Sequence, residues 1–363
     1  MRALLVTDTH FTNRPNDQYR FDLFRQVEEI GLEQKVQRII MLGDLLDAKD
    51  NHPGVLVNRV VDGLVRWTHN FEVQVLQGNH DGLDASTPYL RFINHIPGVE
   101  FIGSIKTETW DVDSINVVYL PHTRNEDEWN QLDFSDSIVF AHVTVDQAMT
   151  ETGFVMEAMT DVQIFEKARR VYSGDIHRPQ NINNFTYVGC AFNVRFGDGF
   201  DGRVMVIDTE FTDPETKQPR ESSFYLPFPR KLVFDIKNPS EYDSELRKTQ
   251  TVLAGEAGYL HIKRVPPQVK VRLHLSYETL GLWREYQQEI REISKQYNVD
   301  LCLFELVRDY NIEPSSKGDK TEIPAEQTTV TFESFCADHE INGELRQVGK
   351  EVVEEVFGGR VPK

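Results

Sequence analysis

Five short polar clusters in this 363-residue chain put Asp, His or Asn at the end of an apolar run. They are Asp8-Thr9-His10, Gly43-Asp44 with Asp47 close behind, Gly78-Asn79-His80-Asp81, Ala141-His142, and Gly174-Asp175-Ile176-His177. Carboxylate, imidazole and amide-carbonyl groups are the donors that proteins use to hold divalent cations. Taken singly, each cluster has a plain explanation. Gly-Asp after an apolar run is an ordinary strand exit, a lone His is a surface or satisfied interior residue, and Asn-His-Asp is a turn. Five separate strand ends that all stop on metal-competent residues point jointly to a metal site.

Such a site needs elements that bring the strand ends together. Residues 3–7 are β-branched and apolar and predict a first strand. If the chain stays extended beyond it, Asp8 and His10 point to the same side and can grip one ion. Phe21, Phe24, Val27, Ile30 and Val36 recur at near-helical spacing through a charged segment, which predicts an amphipathic crossover helix. It leads into a wholly apolar strand over 39–42 that stops at Gly43 and delivers Asp44. A βαβ unit of this kind predicts that the first two strands are parallel, with Asp8, His10 and Asp44 at one edge. A second amphipathic helix over 53–69 and a strand over 71–76 follow, and Gly78 permits the tight exit that brings Asn79 to that edge. Further strands are expected at 115–120, 137–140 and 170–173.

The composition bounds the function classes. A chain this long is expected to hold two or three units and a large core. The net charge is −19, from 39 Lys plus Arg against 58 Asp plus Glu. This argues against a protein that coats nucleic acid by bulk electrostatics, but not against a nucleic-acid enzyme, because bound cations reverse the local field of a carboxylate cluster. Nothing approaches the roughly 20 continuous apolar residues of a membrane span, and the N-terminus lacks signal-peptide architecture, so no membrane association and a cytoplasmic location are expected. Cys190, Cys302 and Cys336 are far apart and fit reduced thiols.

Asp8-x-His10, Gly43-Asp44-x-x-Asp47, Gly78-Asn79-His80-Asp81, His142 and Gly174-x-x-His177 resemble, in order and spacing, the signature of the calcineurin-like metallophosphoesterases. The resemblance covers about the first 210 residues. Within that superfamily, His177-Arg178-Pro179-Gln180, Tyr187-x-Gly189 and Phe196-Gly197-Asp198 resemble the SbcD-type nucleases, catalytic subunits of SMC-like DNA-repair complexes. The resemblance implies an α/β (α+β) fold, a β-sandwich flanked by helices whose sheets need not be purely parallel. It implies one metal held by Asp8, His10, Asp44 and His177, and a second held by Asp44, Asn79, His142 and the residue at 175. Only a carboxylate has two oxygens to serve two ions, the reason for an Asp at 44. The mixed donor set suits manganese, iron or zinc better than magnesium, and manganese is the choice. The family usually has His at the position of Asp175; an Asp there ligates directly or through a water, and its harder shell favours manganese. Two ions roughly 3.5–4 Å apart activate a hydroxide and clamp the phosphate, so no protein nucleophile is needed. By the same resemblance the catalytic residues are His80, which faces the phosphate and either stabilises its charge or protonates the leaving oxygen, and Asp81, which orients that imidazole.

The resemblance implies a metallophosphoesterase nuclease domain at 1–236 and a small α+β capping domain that selects DNA shape at 237–312, while composition without periodicity marks a linker at 313–327 and the residue pattern a helical, partner-binding tail at 328–363. Bottom-up, residues 222–236 predict a strand interrupted by Pro227 and Pro229; 269–277 alternate as a strand, 285–297 are helical in pattern and 301–307 strand-like. In the tail, Val348, Val352, Val353 and Val356 form an apolar stripe that must fold back or dock on a partner, which by resemblance is an SbcC-type coiled-coil ATPase. DNA is the expected substrate and a homodimer is compatible with the type. Two other classes share the ligands: a metallophosphatase or phosphodiesterase acting on phosphoproteins or small phosphoesters, and a non-catalytic scaffold that retains the fold.

Overall fold

Runs that are apolar at every position, such as Ala3-Leu4-Leu5-Val6 and Ile39-Ile40-Met41, suit strands covered on both faces. In the computed structural model they are the central strands of a six-stranded sheet, β1 (Arg2–Val6) and β2 (Arg38–Met41). β3 (Glu72–Leu76) and β4 (Val99–Ile102) continue it in parallel, with Val6 opposite Met41 and Met41 opposite Val75. On the other side of β1, β11 (Arg203–Thr212) and β12 (Pro219–Tyr225) complete the sheet antiparallel. The structure describes residues 1–308 except 84–86, 111–113, 124–125, 152, 159, 256–264 and 277–278. The expected linker and helical tail lie outside the described residues, which all fall in one compact unit, Met1–Tyr310.

A second six-stranded sheet is built on three parallel strands, β6 (Ile115–Leu120), β7 (Ser137–His142) and β8 (Arg170–Gly174). β5 (Lys106–Trp110) closes one edge antiparallel, and β10 (Phe185–Tyr187) with β9 (Gln180–Ile182) extends the other. Side chains of β1 alternate between two cores. Ala3 and Leu5 join Tyr119, Phe140 and Tyr172 between the sheets. Leu4 and Val6 pack instead with Phe24 and Val27 of α1 (Leu23–Glu33) and Val60 and Trp67 of α2 (Gly54–Thr68). The parallel run within each sheet has a direct consequence for the site: β1, β2 and β3 all end at one edge, as do β7 and β8 in theirs. The fold is thus a mixed α/β sandwich flanked by helices, as expected. None of the helices among the described residues is long and apolar enough to cross a membrane.

The C-terminal part differs from expectation in one respect. Residues 222–236 do not form one interrupted strand. Pro227 and Pro229 lack the N–H that a ladder requires, so the chain leaves the first sheet after β12 and starts a third sheet with β13 (Lys231–Ile236). β13 pairs in parallel with β14 (Gln268–Leu275), and β14 with β15 (Leu301–Arg308), joined by α3 (Pro239–Gly255) and α4 (Trp283–Gln296). The expected boundary between 236 and 237 therefore cuts off this sheet's first strand, and the expected β-α-β segment is a parallel β-α-β-α-β unit. α3 escapes the sequence reading because its apolar stripe is thin, with Tyr242 and Leu246 as its fully buried side chains among residues 239–249.

This unit is anchored where the 3-10 segment Pro15–Asp22 crosses it. The Lys231 ammonium lies 2.7 Å from Asp17, with both side chains at least nine-tenths buried, and Arg20 lies 3.3 Å from the same oxygen. Gln268 donates to the carbonyl of Asn16 at 3.0 Å. Removing one member of a buried ion pair leaves uncompensated charge, at a cost of about 3–5 kcal/mol. Asp17→Ala is therefore expected to lower the unfolding free energy by that amount in a urea titration; a loss below about 1 kcal/mol, as for exposed pairs, would contradict this role for the contact.

Candidate metal centre

The first site residues leave β1 in an unexpected conformation. The extended exit anticipated from the sequence is absent: Asp8 and His10 have φ of +49° and +40°, and Asp44 has +56°. The left-handed region is costly for residues with a Cβ, though Asp, Asn and His adopt it more readily than most. The two segments nevertheless stay paired. Asp8 N–H donates to Gly43 O at 3.1 Å, His10 N–H to Asp44 O at 3.0 Å, and Phe11 N–H to Leu45 O at 2.9 Å. Asp8 and His10 thus converge by a coiled, hydrogen-bonded exit rather than by strand alternation, and the strain of about 1–3 kcal/mol per residue is of the kind found at functional sites.

Close approach of the loops requires two glycines. A Cβ on Gly78 would lie 2.2 Å from Asp44 Oδ1, and one on Gly43, at φ +92°, 2.3 Å from His142 Nδ1. Asp81 then ties the β2 and β3 exits together. Its buried carboxylate accepts from the N–H groups of Gly78 at 2.7 Å, Asp44 at 2.9 Å and Leu45 at 3.0 Å. This corrects the expectation that Asp81 orients His80: three backbone donors occupy it. His80 is held otherwise, by its N–H on Asp44 Oδ1 at 2.8 Å and by Nδ1 against Asp47 O at 2.6 Å.

Asp44 stands between two groups of side chains. Its Oδ2 lies 3.6 Å from His10 Nε2, and its Oδ1 lies 3.5 Å from His142 Nε2. His10 Nε2 is in turn 3.1 Å from His177 Nε2. On the other side, Asp175 Oδ1 lies 3.6 Å from His142 Nε2 and accepts from Asn79 Nδ2 at 3.3 Å. The other Asp175 oxygen accepts from Thr144, and its N–H donates to Asp8 Oδ1 at 3.1 Å. All seven expected ligands are therefore gathered at one edge of the sandwich. Donor atoms of Asp8, His10 and His177, of Asp8, Asp44 and His142, and of His10, Asp44 and His80 lie within 4.8 Å of one another in each group, so each could hold an ion.

The unpartnered atoms test whether a metal fits. Buried polar groups are normally hydrogen-bonded, yet His142 Nε2 and Asn79 Oδ1 are buried with no partner. Each faces the centre by default, because its other end is engaged: His142 Nδ1 donates to Leu42 O at 2.7 Å, and Asn79 Nδ2 to Asp175. Both orphans are acceptors, the complement of a cation. The electrostatics agree. Burial pushes Asp8 up to about 8, with Asp44 and Asp175 adding repulsion against the pull of His142. Asp44 also rises well above the usual carboxylate range through burial and the Asp81 charge. Burial holds His10 well below its ordinary value, beside His177, and lowers His177 to about 4. Cations supply the charge that these buried carboxylates lack. The donor set fits two divalent ions.

Sequence reasoning missed several residues that shape the site. Thr7 donates to Asp8 Oδ2 at 2.5 Å, Thr144 holds Asp175, and Arg20 donates to the carbonyl of His10 at 2.6 Å. Glu151 meets His177 from a loop that carries no motif. These residues act by position alone, and no spacing signal marks them.

Residues 1–179 match the family model described as calcineurin-like phosphoesterase. No curated protein matches the chain. Among solved structures, the chain is similar to a dimetal phosphatase from Danio rerio, at 9% identity over 57% of this chain and 92% of that one, with a TM-score of 0.39. It is also similar to Yfce, a phosphoesterase from E. coli, at 12% identity over 61% of this chain and 98% of that one, with a TM-score of 0.33.

The shifts fix the sign of a pH effect. Asp8 has a folded value of about 8 against 3.8 for the free group, so its contribution to stability is complete below about pH 4 and is lost as pH rises through 8. His10 and His177 act oppositely, losing stability as pH falls below 6.5, and are neutral in both states above it. Between pH 6.5 and 8 the metal-free protein is thus expected to become less stable, and the rise in Tm on adding Mn2+ to grow. A Tm increment that is flat or shrinks over that interval, read by scanning calorimetry, would contradict the assignment.

Proposed function

We propose, from the match of residues 1–179 to the calcineurin-like phosphoesterase family model and the metal-dependent phosphoester hydrolysis that goes with it, that this chain is a DNA nuclease of the SbcD type. The observation that carries the hydrolytic chemistry is Asp44, whose two oxygens face different histidines, His10 and His142. One ion would be held by Asp8, His10, Asp44 and His177, and the other by Asp44, Asn79, His142 and Asp175, with manganese as the native metal. When bound, the pair supplies Lewis-acid charge to a phosphodiester and its attacking water.

The chain's own residues do the rest. A carbonyl only accepts, so the 2.6 Å contact with Asp47 O puts the His80 ring proton on Nδ1; Nε2 would then serve the phosphate, by stabilising its charge or by protonating the leaving oxygen. Its backbone is pinned to Asp44, so the imidazole keeps a fixed place beside the bridging carboxylate. Asp81 and the close packing at Gly78 keep the two exit loops from separating.

DNA as the substrate is proposed on the resemblance of the segment after His177, and of the unit beyond it, to the SbcD-type nucleases. Gly189, at φ +81°, packs against Pro179, where a Cβ would lie 2.4 Å from Pro179 Cγ. Asp198 accepts from the N–H groups of Val194 and Arg195, both at 2.8 Å. These motif residues shape the path from the site to β13, where the parallel β-α-β-α-β unit begins. That unit is proposed to contact DNA, and the tail at 328–363 to dock on an SbcC-type ATPase in the cytoplasm. Manganese-dependent cleavage of single- and double-stranded DNA, compared with hydrolysis of a phosphopeptide, tests the substrate class. Phosphopeptide turnover without DNA cleavage would replace the nuclease reading by a phosphatase one.

His80→Asn is expected to bind both ions yet to lose about 10²–10⁴-fold in phosphodiester hydrolysis, the usual contribution of a positioned acid. Near-normal turnover in the variant would remove His80 from the mechanism.

A further inference from the structure

The histidines of the centre are not held alike. His142 has its Nδ1 on a backbone carbonyl, Leu42 O, at 2.7 Å. The Nε2 of His177 faces His10 across 3.1 Å, while its Nδ1 is buried, has no hydrogen bond, and lies 3.7 Å from Glu151 Oε1. The same Glu151 oxygen accepts the backbone N–H of His177 at 3.0 Å. Its side chain is only 23% exposed, so the carboxylate sits in a protected place beside the ring.

The loop that carries Glu151 is fastened to the chain leaving His177. Gln180 accepts from Met149 N–H at 2.8 Å and donates to Met149 O at 2.7 Å. Arg178 reaches the Met149 sulfur at 3.3 Å, and an antiparallel bridge joins Met149 to Val155. Glu151 therefore lies in a hairpin clamped to residues just after the histidine it faces.

We infer that Glu151 is the positioning residue of His177, accepting a hydrogen bond from Nδ1–H so that Nε2 is presented to an ion. The physical reason is reciprocal. A cation on Nε2 withdraws charge from the ring and makes Nδ1–H a stronger donor, and a carboxylate accepting it makes Nε2 a better ligand. Forming that bond requires the 3.7 Å separation to shorten to about 3 Å when an ion is bound. The geometry also makes the centre asymmetric: the ring of one ion's histidine is oriented by a full negative charge and that of the other by a neutral carbonyl. The inference rests on the two-ion reading and not on DNA being the substrate.

The test is calorimetric titration of the metal-stripped full chain with Mn2+. Wild type is expected to bind two ions. Glu151→Gln keeps the acceptor for the backbone N–H but removes the charge, and should weaken one of the two events about 10-fold; Glu151→Ala should weaken it up to about 100-fold, leaving the other event in place. Phe154→Ala, at a 74% exposed position of the same hairpin, should titrate as wild type. In the Zn2+-loaded protein, the Nδ1–H proton of His177 should be protected from exchange in wild type and unprotected in Glu151→Ala. Two unchanged events in both Glu151 variants would overturn the inference, as would equal weakening of both events with a lower Tm of the metal-free protein, which marks a merely structural role. A wild type that binds fewer than two ions would overturn the two-ion reading itself and the inference with it.

Discussion

Burying negative charge without a counter-charge is the constraint on which this structure turns. Asp8 and Asp44 are almost wholly removed from water, and no Lys or Arg among the described residues forms an ion pair with either. Their partners are imidazoles, among them His10, which burial keeps neutral, backbone N–H groups and a threonine hydroxyl. Such a cluster favours protonated carboxyls when empty and ionised ones when cations enter, so binding and proton release are one process.

Holding such a cluster together demands a stiff frame, and the two sheets supply it through parallel strands. Each strand brings one exit loop to the shared edge, but the loops carry their own connections. The carboxylate of Asp81 joins the β2 and β3 exits through three N–H donors, and the N–H of Asp175 reaches across to Asp8 from the other sheet. The left-handed conformations at Asp8, His10, Asp44 and Asp175 are sustained by this network. The site is thus over-determined by backbone hydrogen bonds, which suits a centre whose ligands must hold their places before an ion arrives.

The third sheet is connected to the same frame by charge. Lys231 opens β13 and pairs with Asp17, Asp17 pairs with Arg20, and Arg20 donates to the carbonyl of His10. A continuous polar path therefore runs from the β-α-β-α-β unit to the backbone of a candidate ligand. Any load on that unit has a physical route to the metal centre.

What the sequence determined by itself is the succession of strands and helices and the identity of the strand ends, with the sandwich implied by the family that those strand-end residues resemble. Short apolar runs such as 39–42 suit strands covered on both faces, an amphipathic helix between two of them sets them parallel, and Gly-Asp or Gly-Asn after such a run marks the exit. Periodicity carries that information because it is local. What only the tertiary structure decided is orientation. The sequence could not show that Asp8 and His10 converge through left-handed backbone, that Asp81 is consumed by N–H groups of two loops, or that Glu151 lies beside His177. Nor could it show that residues past Pro229 begin a new sheet instead of continuing the old one. Each of these depends on partners 26 to 37 residues away or more, or on a backbone angle that no residue pattern encodes. Side-chain type limits what a residue can do, and the fold decides which of those things it does.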